Sequence, residues 1–407
     1  MSTVRQYFVY AWIAVAACAA QARPPASNVT VTADGLAADS SRDKPVRVSA
    51  EPWSEASASF HAQPNWLGAD SAYSIDLDAT HVLWLFADTF IDPAADGSRE
   101  NGPSFFIRNS IALQTGEDAE SSHDLSRSQL KFFWGPKRAD VPSSFFQDVD
   151  GSKEWLWPLH GTRLRDGQLL LFRMHVVKQS GGLGFAVDSW DAVAIDEPLA
   201  SPDTWRPRVL TPKLNTFGKL VGSSVLVHGE HVYAYAVNNQ ERDHSIYLVR
   251  WPLSRLAGLR AHALDDPEWW TQTGFVKQSA IRDDSELKAL WSDGQVELSV
   301  HFDATTQRFI EIQMQGLFVG DANTQIGMRT AEHPEGPWSA LTPFFRPSEA
   351  ALPNAADLAA YAAKAHPEQR GADLVLSYVV NDLKRFPPGD RVYYPQIVRL
   401  HNENRTP

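Results

Sequence analysis

Two aspartates, Asp70 and Asp88, stand at equal distances from Ala79 in the stretch GADSAYSIDLDATHVLWLFADTF, residues 68–90. Two short apolar runs, 71–77 and 81–86, flank the turn-forming Asp78-Ala79-Thr80, a pattern that predicts a tight β-hairpin. In an antiparallel pair that turns at Ala79 the two acids face each other, with Cβ atoms roughly 5 Å apart. A register change of one residue would separate them. Facing carboxyl groups suit glycoside hydrolysis, in which one carboxylic acid protonates the departing oxygen while a second carboxylate attacks the sugar or activates water. A separation of ~5–5.5 Å serves direct attack with retention and ~6.5–9.5 Å leaves room for water and inversion; the hairpin geometry leans toward the shorter value. Two acids this close push their pKa values apart, leaving one protonated and one ionised near neutral pH. The plain alternative is that each Asp only caps backbone N–H groups at a strand end.

The elements that position such a pair are short β-stretches separated by turns. Hairpins are expected over 159–178, centred on Arg165-Asp166-Gly167, over 223–238 and over 297–313, with weaker strands between them and a last pair over 374–380 and 394–400. Five such units begin near Asp70, Pro158, Gly222, Glu297 and His366. A degenerate long-period repeat of three- or four-stranded units predicts an all-β, five-bladed β-propeller over residues 45–407, with a β-sandwich pair as the alternative. The fifth unit is short of strands, so a segment within 45–60 is expected to complete it. One stretch, 355–366 (AADLAAYAAKAH), reads as a short helix.

Propeller ligands meet the residues at the unit starts, which directs attention to Asp70, Asp88, Trp157, Pro158, His160, Ser223, Glu297, Lys364, His366 and Glu368. Glu297, after Trp291-Ser292-Asp293-Gly294, is expected to open a strand and to serve as a third acid beside Asp70 and Asp88. Arg108 and Asn109, in FIRNS, could bind sugar hydroxyls or tie the hairpin to its neighbour. His160 and His366 are candidate substrate contacts whose ordinary alternative is a satisfied structural histidine. Among 14 Trp, 10 Tyr and 20 Phe, those near unit starts (Trp66, Trp84, Trp155 and Trp157) are the candidates for stacking on a sugar face, and the rest are expected in the core.

Charge and motifs exclude other chemistries. A net charge of −12 without clustered Lys or Arg does not suit nucleic acid. There is no nucleotide-binding Gly-rich loop, no His-Glu-x-x-His helix and no Gly-x-Ser-x-Gly elbow. The several arginines and repeated Asp-box turns of a sialidase are absent as well. No metal ligand set is apparent; a structural calcium in the channel is conceivable, though no loop is dedicated to it. The single cysteine, Cys18, rules out an internal disulfide or a thiolate zinc site.

Residues 1–22 pair Arg5 with an apolar run over 7–20 and small residues at 20–22, which reads as an export signal. Val15-Ala16-Ala17-Cys18 also resembles a lipobox, which would place a lipid on Cys18. Residues 23–44 read as a flexible linker. The expectation is an exported monomer, periplasmic, outer-membrane-tethered or extracellular, with an oligo- or polysaccharide partner and no cofactor.

The segments GADSAYSIDL, LWLFADTF and FIRNSIAL resemble the first blade of a bacterial family of exported five-bladed propellers long described as domains of unknown function and similar in fold to the arabinanase and fructosidase propellers. ELSVHFDATTQRFIEIQ, IGMRTAEHPEGPWS, YAAKAHPE and LVLSYVVND fit it too, so the resemblance covers most of the chain beyond residue 50. It implies a glycoside hydrolase related to endo-acting D-arabinofuranases, with Asp70 and Asp88 matching two catalytic aspartates of the first blade. Where that group has Phe-Gly-Asp-Thr this chain has Ala87, which could mark a subgroup with another sugar. The rivals are a carbohydrate-binding propeller without catalysis and a lyase, which would need a Tyr or His base and a cation to neutralise a uronate.

Overall fold

The computed structural model describes residues 30–31, 46–92, 95–100, 104–138, 141–147, 154–180, 184–238 and 244–402. The signal segment and Cys18 lie outside the described residues, as does the linker apart from Thr30–Val31, which pairs with Val46 and Arg47. Among the described residues no helix is long and apolar enough to cross a membrane.

The fold is all-β, and each large antiparallel sheet is a meander whose first strand is the innermost. The first sheet runs Tyr73–Asp78, His81–Phe86, Ser110–Thr115, Gln129–Phe133. The others start with Glu154–Arg163, Lys219–His228, Ser299–Asp303 and Leu358–His366. These five first strands touch in sequence order, and Leu358–His366 returns to Tyr73–Asp78. The outer strands of the last sheet are Pro395–Asn402 and, from the opposite end of the chain, Val46–Pro52, so N- and C-terminal segments are joined by a strand ladder.

The first hairpin shows how the sequence sets the packing. Asp78 Oδ1 accepts hydrogen bonds from Thr80 N–H (2.8 Å) and Thr80 Oγ1 (3.1 Å), closing the turn. In the next strand, Val82, Trp84 and Phe86 pack on one side with Phe60 and Ile397, while Leu83 and Leu85 pack on the other with Ile75 and Leu171. Period-2 alternation thus separates two cores rather than core from solvent, because the sheet is covered on both faces. Burying each such side chain contributes about 1.5–3 kcal/mol.

Two expectations need correction. The stretch read as a helix forms a single 3₁₀ turn, Ala355–Asp357, and then the innermost strand Leu358–His366, every residue of which is buried. Alanine favours helix in isolation, but where strands converge only small side chains leave room for neighbours, and that packing overrides propensity. His366 therefore closes the fifth unit's first strand rather than starting it. Glu297 likewise precedes its strand, which begins at Ser299.

Gly222 lies in the strand Lys219–His228 at φ +115°, where the register shifts between Val221 and Ser224. A Cβ there would lie 2.5 Å from Phe172 Cβ. Gly222→Ala is expected to destabilise the protein by roughly 2–3 kcal/mol through combined strain and overpacking, measured as a lower midpoint in urea unfolding.

Candidate active site

Asp70 follows the strand Trp66–Ala69 and Asp88 precedes Thr89–Ile91, two strands that pair with Ala69 opposite Thr89. On the other side of the two acids, Tyr73 stands opposite Leu85. The pairs on the two sides of the gap share one register, which brings Asp70 level with the Ala87–Asp88 pair. Two backbone bonds cross the gap, Asp70 N–H to Asp88 O (3.4 Å) and Ala87 N–H to Asp70 O (3.1 Å), so Ala87 and Asp88 together oppose Asp70, as in a β-bulge. Between the two strand segments Ser71 and Ala72 adopt φ of 73° and 54°, a left-handed bend unusual for non-glycine residues. Such bends re-aim side chains and are frequent beside functional sites.

The two acids have different surroundings. Asp88 Oδ1 accepts a hydrogen bond from Trp157 Nε1 (2.9 Å), and Arg108 Nη1 lies 3.3 Å from Oδ2. A cation and an N–H donor on one carboxyl group are the arrangement that suits its charged form. Among the described residues Asp70 makes no ion pair; the Tyr361 hydroxyl donates to Oδ2 at 3.1 Å. Burial, and then the neighbouring charges of Asp88 and Glu297, hold the Asp70 carboxyl well above the usual carboxylate range, while the Tyr361 and Tyr393 hydroxyls oppose the shift. The Tyr393 hydroxyl also donates to the Asp88 carbonyl oxygen at 3.3 Å.

Glu297 comes to the same place from the fourth unit. Its Oε1 accepts hydrogen bonds from Ser71 Oγ (2.6 Å) and Lys364 Nζ (2.9 Å). Lys364 is buried, its ammonium 4.2 Å from the centre of the Tyr73 ring, and burial lowers its pKa against the opposing pull of Glu297. Asp70, Asp88 and Glu297 are each under 8 % exposed, so the cluster sits in a largely dry environment, and the Arg108 side chain on Asp88 is 26 % exposed.

Other candidates fall elsewhere. Trp66 is buried at 1 % exposure, stacked on Phe132 with ring centroids 4.1 Å apart and bonded to Ser110 Oγ; no face remains for a sugar, because both sides of its strand are covered. Asn109 is fully buried and bridges backbone: Nδ2 donates to Phe146 O and Leu156 O, and Oδ1 accepts from Phe146 N–H. It ties the first unit to the second. His366 is fully buried between Ser74 Oγ (2.5 Å) and Ser377 Oγ (2.7 Å), and burial keeps its pKa well below the ordinary value. His160 accepts from Val225 N–H through Nδ1 and donates through Nε2 to the Ser74 carbonyl; burial lowers its pKa to about 4. Both histidines are neutral structural parts of the inner wall. Trp157 touches the site, but as a hydrogen-bond donor to Asp88 and not as a stacking platform. Arg108 lies over the Trp155 ring at 4.2 Å, which sets Trp155 at the site's border.

Tyr361 and Tyr393 are not among the residues expected at the site, and Lys364 is expected there only as a unit start. Tyr361 and Lys364 would have drawn notice had 355–366 been read as a strand, since a bulge between them turns both inward. Nothing local marks Tyr393. Among the described residues no group of three or more His, Cys, Asp or Glu is placed to hold a metal ion.

The sequence pattern of DUF5005, a domain of unknown function, matches residues 57–402. The chain belongs to this family. No curated protein sequence matches the DUF5005 chain. Among solved structures, it is similar to a candidate hydrolase from Bacteroides ovatus, with 16 % identity, 89 % of this chain and 93 % of that one covered, and a TM-score of 0.65. That likeness shows a shared fold. Fainter likenesses are to the catalytic domain of the GH62 α-L-arabinofuranosidase of Coprinopsis cinerea (11 % identity, 83 % and 92 % covered, TM-score 0.44) and to the endo-1,5-α-L-arabinanase of Thermotoga petrophila (10 %, 82 % and 70 %, 0.41).

The raised pKa of Asp70 has a signed consequence. Folding favours its protonated form, so its contribution to stability is present below the ordinary carboxylate range and is lost as pH rises through the raised value. Asn at this position has no charge to bury. Asp70→Asn should therefore gain stability on the parent as pH is taken from 5 to 8, by up to roughly 1.4 kcal/mol per pH unit, read from urea unfolding at each pH.

Proposed function

We propose that this protein is an exported five-bladed β-propeller that hydrolyses a glycosidic bond, with Asp70 and Asp88 as its working pair. The observation that supports the reading is the asymmetry between two neighbouring acids: Asp88 is held by a guanidinium and an indole N–H, while Asp70 is buried and, among the described residues, makes no ion pair. A carboxyl group that keeps its proton can protonate the leaving oxygen, and a charged one opposite can attack the anomeric carbon or take a proton from water. Asp70 is assigned the acid role and Asp88 the nucleophile or base role. Glu297 is the third acid, whose charge reinforces the proton on Asp70.

The ring order of the five first strands supports the five-bladed reading, with the strand Val46–Pro52 completing the last blade. A polymer containing furanose sugars is the substrate class that the sequence resemblance implies. Arg108 and Lys364 are engaged by Asp88 and Glu297, which disfavours a lyase acting on uronates. Export rests on the signal-like residues 1–22, and a lipid on Cys18 is the variant of that reading that would tether the protein to a membrane. The near-complete burial of the three carboxyl groups favours a second reading, carbohydrate binding without catalysis. Glycan retention with no products after prolonged incubation is its signature.

Incubation with plant, fungal and mycobacterial polysaccharides, with products analysed for chain length and anomeric configuration, tests the assignment. Asp70→Asn and Asp88→Asn are each expected to lower turnover at least 100-fold while leaving cooperative unfolding intact. Full activity in either folded variant on a glycan the parent cleaves would rule the pair out.

A further inference from the structure

Lys364 is a buried cation whose neighbours are unusual in kind. Its ammonium donates to Ser71 O (2.5 Å), to Ala362 O (3.2 Å) and to Glu297 Oε1 (2.9 Å). Ser71 and Ala362 are themselves left-handed, at φ 73° and 59°, and Ala72 follows Ser71 at 54°. Three non-glycine residues in this conformation thus gather around one side chain, on the segment leading into Tyr73–Asp78 and on the strand Leu358–His366. Each such residue is costly and persists only where its surroundings over-determine it. The two bends carry the groups that meet at the acid pair: Asp70 precedes Ser71, and Tyr361, the donor to Asp70, precedes Ala362. Ser71 also reaches Glu297 through its hydroxyl at 2.6 Å.

We infer that Lys364 is a positioning residue, a single ammonium that pins the Ser71–Ala72 bend to the Ala362 bend and to Glu297, and so fixes where Asp70 stands among its neighbours. An ammonium is suited to this because it is a compact charge with three donors, one for each of the three oxygens. A guanidinium is planar and larger, and would need space that a residue of 1 % exposure does not have. Loss of the ammonium would leave the two carbonyl groups and one carboxylate oxygen short of a buried donor, so the bends would relax before the sheets do. The effect on catalysis rests on the hydrolase reading; the effect on the bends does not.

The test is Lys364→Met, which keeps the length of the side chain and removes its donors. By amide hydrogen exchange, protection at residues 70–72 and 361–363 should fall at least 10-fold, with residues 82–85 and 374–380 unchanged. On any glycan the parent cleaves, kcat should fall at least 30-fold with KM within about 3-fold, since binding surfaces away from the acids are untouched. If Lys364→Met does not fold, the double variant Lys364→Met, Glu297→Gln, which removes both buried charges, takes the same exchange measurement with the same expectation. Unchanged protection at 70–72 and 361–363 would overturn the proposal, and so would a uniform rise in exchange over every sheet, which marks a general stabiliser. Local loosening in a protein whose parent cleaves no glycan would uphold the positioning role and count against the hydrolase reading alone.

Discussion

Two backbone hydrogen bonds hold Asp70 beside Ala87 and Asp88. Asp70 donates its N–H to the Asp88 carbonyl and accepts at its own carbonyl from Ala87 N–H, so its backbone is fixed beside that pair where two sheets meet. Like charges in a dry environment repel, and the surroundings resolve the conflict unequally. Arg108 and Trp157 sit on Asp88, and tyrosine hydroxyls sit on Asp70. Glu297 could have relieved the crowding by lying elsewhere; instead it is held close by Ser71 and Lys364 and adds to the pressure on Asp70. The arrangement costs stability, which natural proteins tolerate most often where a group must be kept in an uncommon protonation state.

The architecture explains why such a cluster can form at all. Where the first strands of the sheets converge, there is little room, and the sequence meets that limit with alanine and glycine backbones interrupted by bends. Ala359, Ala360, Ala362, Ala363 and Ala365 leave space, and the longer Tyr361, Lys364 and His366 carry polar ends inward. Neutral His366 and His160 then satisfy each other's neighbourhood through Ser74, which fills the interior below the acids without adding charge.

Some of this was legible in the sequence and some was not, for physical reasons. The hairpin could be placed because Asp78 and Thr80 make a self-contained turn and because the apolar runs on either side are short and symmetric about Ala79. That symmetry brings Asp70 and Asp88 to one level of the chain, while the offset of the backbone bonds there, with Ala87 N–H on the Asp70 carbonyl, has no sequence signal. Trp66 misled because a tryptophan near a unit start reads the same whether its strand is covered on one face or on two. The innermost strand 358–366 looks helical in composition because local propensity carries no information about crowding imposed by other strands. Lys364 and Glu297 are far apart in the chain, and their pairing depends on how two sheets sit side by side, which no local pattern encodes. Tyr393 reaches the acids from the segment leading into the last strand of the fifth sheet, and no periodicity marks it.

The central claim is that the surroundings hold the Asp70 carboxyl well above the usual carboxylate range while Asp88, with Arg108 and Trp157 on it, is the charged partner. Carbon-13 NMR of protein labelled at the Asp side-chain carboxyl carbons, titrated from pH 4 to 8 and assigned with the Asn variants, reads this directly. The account predicts that the Asp70 signal keeps its protonated position well above the ordinary carboxylate range while the Asp88 signal is already that of a carboxylate. Both signals moving together near pH 4, as two independent exposed acids would, contradicts it.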